Sequence, residues 1–230
     1  MDNKEIEKLM IAAIEYHRPE SIKQFCMSVW NQPFFYKIDK AKVLTLSYNP
    51  TDKGARTNYK YYVDQYIEYG KLDTNTILDI LYNYKKEVYW RKNYDIIFNY
   101  LGFQEDEISH MDVSFFPYKT LDSYKKFELL DDSYKFLLQT IKLLDGQLKI
   151  IFVDGAKNKD IICKIMSTGD WRPIYETAIA INGNNKKYDL LIYKCNSTYL
   201  IYYGCFLYGA TCPSHNQIME IARHIKSIIQ

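Results

Sequence analysis

The sequence has no apolar run near the roughly 18 residues that a membrane-spanning helix needs. Its opening stretch, Met1 to Glu7, is charged and amphipathic and lacks the apolar segment of a secretory leader. A cytoplasmic location without a membrane partner is therefore expected. Cysteine is sparse and odd in number: Cys26, Cys163, Cys195, Cys205 and Cys212 include no C-x-x-C pair. That argues against both a disulfide framework and a zinc site. Four of the five lie in apolar surroundings and are expected to be small core residues, whereas Cys212 falls in a polar loop. Excess charge of one sign is missing too. Thirty basic and 28 acidic residues leave a net charge of +2, which neither demands nucleic acid nor excludes a local basic groove. There is no internal repeat and no linker long enough to divide the chain, so a single domain over residues 1–230 is expected.

An apolar content of 47% with 25% charged residues is what a globular core requires. The 23 tyrosines are too many for their number alone to argue for base stacking. Residues 4–16 carry Ile6, Leu9, Met10, Ala13 and Ile14 at helical spacing. A second helix opens at Pro19 and runs to about Trp30, giving a helical preface over 1–35. Val43, Leu44, Thr45 and Leu46 then form a short buried strand, and Asn49-Pro50 ends it in a turn, because proline cannot donate to a ladder. Further helices are expected from Asp73 and over 89–101, the latter closed by Gly102. A strand follows at 108–115, broken by Pro117, and then a helix over 131–144. The clearest strand is 148–155, apolar, rich in β-branched residues and stopped by Asp154-Gly155. A helix over 156–166 comes next. A hairpin turning at Asn182-Gly183, within an insertion over 172–197, leads to a last strand over 198–208 and a terminal helix over 216–229.

This alternation predicts an α/β fold: three α/β/α layers around a mainly parallel central sheet of about four strands, plus the inserted β-hairpin. In such a sheet the carboxyl ends of the strands face one side and place their loops around a ligand crevice. The loops are Tyr48-Asn49-Pro50-Thr51, residues 112–120, Asp154-Gly155-Ala156-Lys157, and residues 209–216. They supply amides, a carboxylate, hydroxyls, a histidine, aromatic faces and lysines, an inventory suited to a polar, planar ligand.

Taken in order, these segments resemble the uracil-DNA glycosylase superfamily. The resemblance rests on the Asn49-Pro50 turn, on the Asp112 strand, on the Val153-Asp154-Gly155-Ala156 connection and on the closing Cys212-Pro213-Ser214 loop, across roughly residues 41–225. It implies a protein that binds DNA, extrudes a modified or damaged base by base flipping and hydrolyses its N-glycosidic bond in DNA repair, with no metal or organic cofactor. The transition state of that reaction carries positive charge on the sugar and negative charge on the departing base. Asn49 would position the attacking water and, being neutral, would serve as a positioner and not as a general base. Asp112 would face the base edge. A carboxylate only accepts, so it favours an exocyclic amine or ring N–H over a carbonyl. Tyr48, Phe115 and Phe116 would line the base, and Pro50 and Thr51 would belong to the loop near the backbone. Relatives carry histidine where Cys212 stands. His215 or backbone N–H groups would then stabilise the leaving base, with Pro213 and Ser214 contacting it or the backbone. Lys53, Arg56, Lys119 and Lys157 would meet phosphates. Plainer roles stay open for each: a turn cap for Asn49, a loop cap or lysine pair for Asp112, a helix N-cap for Ser214, and ordinary surface for the basic residues. A non-catalytic nucleic-acid- or nucleotide-binding module of the same fold, and an unrelated α/β enzyme acting on a small nucleotide, are the competing functions.

Overall fold

The computed structural model describes residues 3–16, 35–36, 38–47, 92–113, 130–180, 186–207 and 212–229. Their elements, in chain order, are α1 (Asn3–Glu15), β1 (Phe35–Tyr36), β2 (Val43–Ser47), α2 (Lys92–Tyr100), β3 (Ile108–Asp112), α3 (Leu130–Leu143), β4 (Ile150–Asp154), α4 (Lys159–Met166), β5 (Arg172–Ala180), β6 (Lys187–Cys195), β7 (Thr198–Tyr203) and α5 (His215–Ile229). They fall into two compact units. One draws on residues 40–46, 89–109 and 146–230, the other on residues 1–39, 47–88 and 110–145.

A mixed sheet of six strands has the order β3-β2-β4-β7-β6-β5; of β3, Ile108 and Ser109 belong to the first unit and His110 to Asp112 to the second. Its inner strands are parallel: Val43 lies opposite Ile150 and Leu46 opposite Val153, while Ile150 lies opposite Tyr199 and Asp154 opposite Tyr203. Beside β2, the Lys42 N–H donates to the Glu107 carbonyl at 2.9 Å and the Thr45 hydroxyl to the Ser109 carbonyl at 2.9 Å, so β3 runs in the same sense. All five residues of β4 are buried, as a strand covered on both faces requires, and this is why its sequence is continuously apolar instead of alternating.

Phe152 is the anchor. Its ring meets Tyr94 at 6.0 Å and Phe98 at 5.4 Å, both edge-to-face, and so fixes α2 on the sheet. Ile218, Ile221, Ala222 and Ile225 bring the apolar stripe of α5 into the same cluster. Helix α4 buries Ile161, Ile162 and Ile165 and leaves Cys163 exposed. The expectation that Cys163 is a core residue is therefore corrected: it projects from the solvent side of the amphipathic turn. Cys205 is buried as expected, Cys195 is half-buried, and Cys26 lies outside the described residues.

The hairpin extends the sheet. β6 pairs antiparallel with both β5 and β7, and Cys195 closes opposite Thr198 across the two-residue turn Asn196-Ser197. Asn196 takes φ +52°, a conformation that asparagine tolerates better than most residues. At the other end of the first helix of this unit, Gly102 takes φ +95°, as its expected role in closing α2 requires.

In the second unit, α1 lies against α3, with Tyr16 and Phe136 edge-to-face at 6.3 Å. Phe35 and Tyr36 of β1 pair antiparallel with Met111 and His110. The Val113 N–H donates to the Ser47 carbonyl at 2.8 Å. The helices expected over 19–30 and from Asp73, the Asn49-Pro50 turn and the Asn182-Gly183 turn lie outside the described residues. No helix among the described residues is long and apolar enough to cross a membrane.

Candidate functional site

The carboxyl ends of β4 and β7 are held side by side. The Gly155 N–H donates to the Tyr203 carbonyl at 2.8 Å, and the chain leaves β4 through Gly155 at φ +89°. A Cβ on Gly155 would stand 2.2 Å from Cε1 of Phe206, so the Phe206 ring occupies the space that any side chain would need. Glycine is required here twice over, for its dihedral angle and for this close approach.

Asp154, the last residue of β4, is wholly buried. Its Oδ1 accepts from the Tyr94 hydroxyl at 2.7 Å and its Oδ2 from the Leu207 N–H at 2.7 Å. Asn158, buried in the 3₁₀ turn Ala156–Asn158, donates to the Asp154 carbonyl at 2.6 Å and secures the following turn. Burial pushes the Asp154 carboxyl up from 3.8 to about 7, overriding the Leu207 and Tyr94 donors that pull it down. An acid–base group titrating near neutrality thus sits at the end of the central strand.

Leu207 links this carboxylate to Cys212. The Leu207 carbonyl accepts from the Asn93 side-chain amide and from the Cys212 thiol, the latter at 3.0 Å. Asn93 also donates to the Cys212 sulfur at 3.0 Å, and the Pro213 carbonyl lies 3.3 Å from that sulfur. Burial raises the Cys212 thiol above its ordinary pKa, with the Asn93 amide opposing and the Asp154 charge reinforcing the rise. The group at neutral pH is a protonated thiol with its hydrogen turned toward backbone carbonyls. It lies outside the regular elements, as expected, and is half-buried with one side packed against the apolar core.

Ser214 caps α5. Its N–H and hydroxyl both donate to Gln217 Oε1, at 2.8 and 2.9 Å, and its carbonyl accepts from the Ile218 N–H at 3.0 Å. Pro213 is buried, and His215 is the exposed first residue of the helix. Lys157 and Lys159 are exposed beyond Gly155.

In the other unit, Asp112 ends β3 as a buried residue, with Oδ1 3.5 Å from Nε2 of His110. Residues two apart on a strand share a face, and the carboxylate is met by an imidazole where a lysine partner had been one expectation. Tyr48, Asn49, Pro50, Thr51, Lys53, Arg56, Phe115, Phe116 and Lys119 lie outside the described residues.

Asn93 and Tyr94 escape the sequence reading altogether. Their partners are 114, 119 and 60 residues away, so no local spacing announces them. Among the described residues, no three His, Cys, Asp or Glu side chains gather as metal ligands would. The chain matches no protein-family model, and no curated protein sequence matches it.

Proposed function

We propose that this chain is a divergent member of the uracil-DNA glycosylase superfamily that binds DNA, extrudes a modified or damaged base and hydrolyses its N-glycosidic bond. The observation that carries the reading is the order of four segments along the sequence: Asn49-Pro50, Asp112 at the end of β3, Asp154-Gly155 at the end of β4, and Cys212-Pro213-Ser214 before α5. Parallel pairing of β2 with β4, and of β4 with β7, supports it, because parallel strands deliver their carboxyl ends to one edge. On this reading the fold is a three-layer α/β/α arrangement with that edge as the base-binding side.

The chemistry assigned to the residues follows from charge. Asn49 holds the attacking water through its amide oxygen while the sugar becomes cationic. Asp112, its Oδ1 facing His110, keeps Oδ2 to accept from an N–H on the edge of the flipped base. The Cys212 thiol is turned inward, so His215 at the start of α5 carries stabilisation of the leaving base. Tyr48, Phe115 and Phe116 line the base, Pro50, Thr51, Pro213 and Ser214 flank the backbone, and Lys53, Arg56, Lys119 and Lys157 meet phosphates.

One observation favours a second reading. A thiol already bonded to Leu207 is no leaving-group donor, which suits a module of the same fold that binds nucleic acid or a nucleotide without cleaving it. Incubation with oligonucleotides bearing uracil, hypoxanthine or modified pyrimidines separates the two. Alkali-labile abasic sites that vanish in Asn49→Ala support the glycosylase. Salt-sensitive binding with no abasic product from any substrate supports the binding module. Neither binding nor product removes the DNA reading.

A further inference from the structure

We infer that Asp154 and Asn93 are positioning residues that clamp Leu207 from both sides and thereby set Cys212 and the start of α5. The inference goes beyond the proposed function, resting on it only for the identity of the ligand; the clamp itself is a property of this chain without DNA.

The geometry is specific to one residue. Leu207 offers one N–H and one carbonyl. The N–H goes to Asp154 at the end of β4, and the carbonyl receives Asn93 from the first turn of α2. Asn93 has two amide hydrogens, and the second reaches the Cys212 sulfur. Cys212 returns its own hydrogen to the same Leu207 carbonyl. Strand β4, helix α2 and Cys212 are thus tied through the single backbone residue Leu207. Pro213 and the Ser214 cap follow at once, so the placing of Leu207 is passed on to the origin of α5.

The clamp responds to protonation in an asymmetric way. A hydroxyl can donate or accept, whereas a backbone N–H can only donate. When Asp154 gains a proton, Tyr94 turns to accept it, and Leu207 keeps its bond with a neutral partner. A charge-assisted hydrogen bond becomes an ordinary one, and the clamp loosens without breaking. The other titratable groups acting with Asp154 are Tyr202 on β7 and Cys205 and Cys212 beyond it. No lysine, arginine or histidine among the described residues pairs with the carboxylate to hold it ionised. Leu207 is therefore held more firmly above neutrality than below it.

The test follows reaction of the whole chain with methyl methanethiosulfonate, in which each thiolate forms a methyl disulfide and displaces methanesulfinate, read cysteine by cysteine by mass spectrometry, with Cys195 and Cys205 as internal references. Asp154→Asn copies the protonated state. At pH 8.5 it is expected to raise the Cys212 rate about fivefold over wild type, and at pH 5.5 by less than about twofold. Tyr94→Phe, which removes only a hydroxyl, gives a second variant with the same direction at pH 8.5. Equal Cys212 rates in wild type and both variants at pH 8.5 would overturn the clamp. Parallel acceleration of Cys205 would overturn it too, because Asp154 would then be holding the sheet as a whole. Either result leaves the DNA reading untouched, and loss of abasic-site activity with the predicted thiol pattern intact would sink the DNA reading alone.

Discussion

The Asp154 carboxylate accepts the Leu207 N–H at 2.7 Å across 53 residues of sequence, and it does so with no exposure to solvent. The stability of the chain should therefore carry a signature of this one group. Its folded carboxyl titrates near 7 and its unfolded one near 3.8, so between those values the folded state binds more protons. Stability then falls as pH rises through that window and levels off above about 7. Asp154→Asn should remove the fall. Relative to wild type, the variant should gain roughly 2–3 kcal/mol between pH 5 and pH 8, checked by urea denaturation at both values.

Gly155 and Gly102 separate dihedral strain from steric collision. Both have positive φ, but a Cβ at Gly102 meets nothing within 4 Å, whereas one at Gly155 meets the Phe206 ring at 2.2 Å. Gly102→Ala should cost about 1 kcal/mol and Gly155→Ala about 2–4 kcal/mol, because the second adds overpacking to strain. Thermal melts of the two variants decide it, and equal losses would mean that Phe206 yields freely.

Asp112 should select the base. A carboxylate beside His110 presents an acceptor, and an amide presents both a donor and an acceptor. Asp112→Asn is expected to move preference toward bases with a carbonyl at the read edge, by about tenfold in the ratio of rates. Competition between substrates of matched sequence carrying a cytosine-type base, with an exocyclic amine, and a uracil-type base, with a carbonyl at the same position, measures that ratio, and an unchanged ratio would remove Asp112 from the base edge.

Lys157 tests the phosphate contacts. Lys157→Ala should weaken DNA binding to the same degree for every sequence and lower the slope of log affinity against log salt by about 1. Fluorescence anisotropy across salt concentrations gives the slope. A full-length slope in the variant would return Lys157 to ordinary surface.

The strands were legible wherever pattern is local. β4 announced itself by an apolar run ending in Asp-Gly, and α5 by isoleucines at helical spacing with a serine before them. Features that depend on distant partners were not. Asn93 looks like any polar residue opening a helix until Leu207 and Cys212 are brought against it, and Asp154 reads as a strand stop, not as a buried acid. The Asn196-Ser197 turn lacks the glycine that usually marks a hairpin, so the antiparallel joining of β6 to β7 had no signal of its own. Cys163 is the converse case: helical spacing within Ile161, Ile162 and Ile165 places it outward, which composition alone had overlooked.

The most direct measurement is release of free base from a panel of oligonucleotides carrying uracil, hypoxanthine and modified pyrimidines, followed by mass spectrometry. At least one base with an N–H at its read edge should be released by the wild-type chain and not by Asn49→Ala. Release of no base, or equal release by the two proteins, would contradict the glycosylase reading.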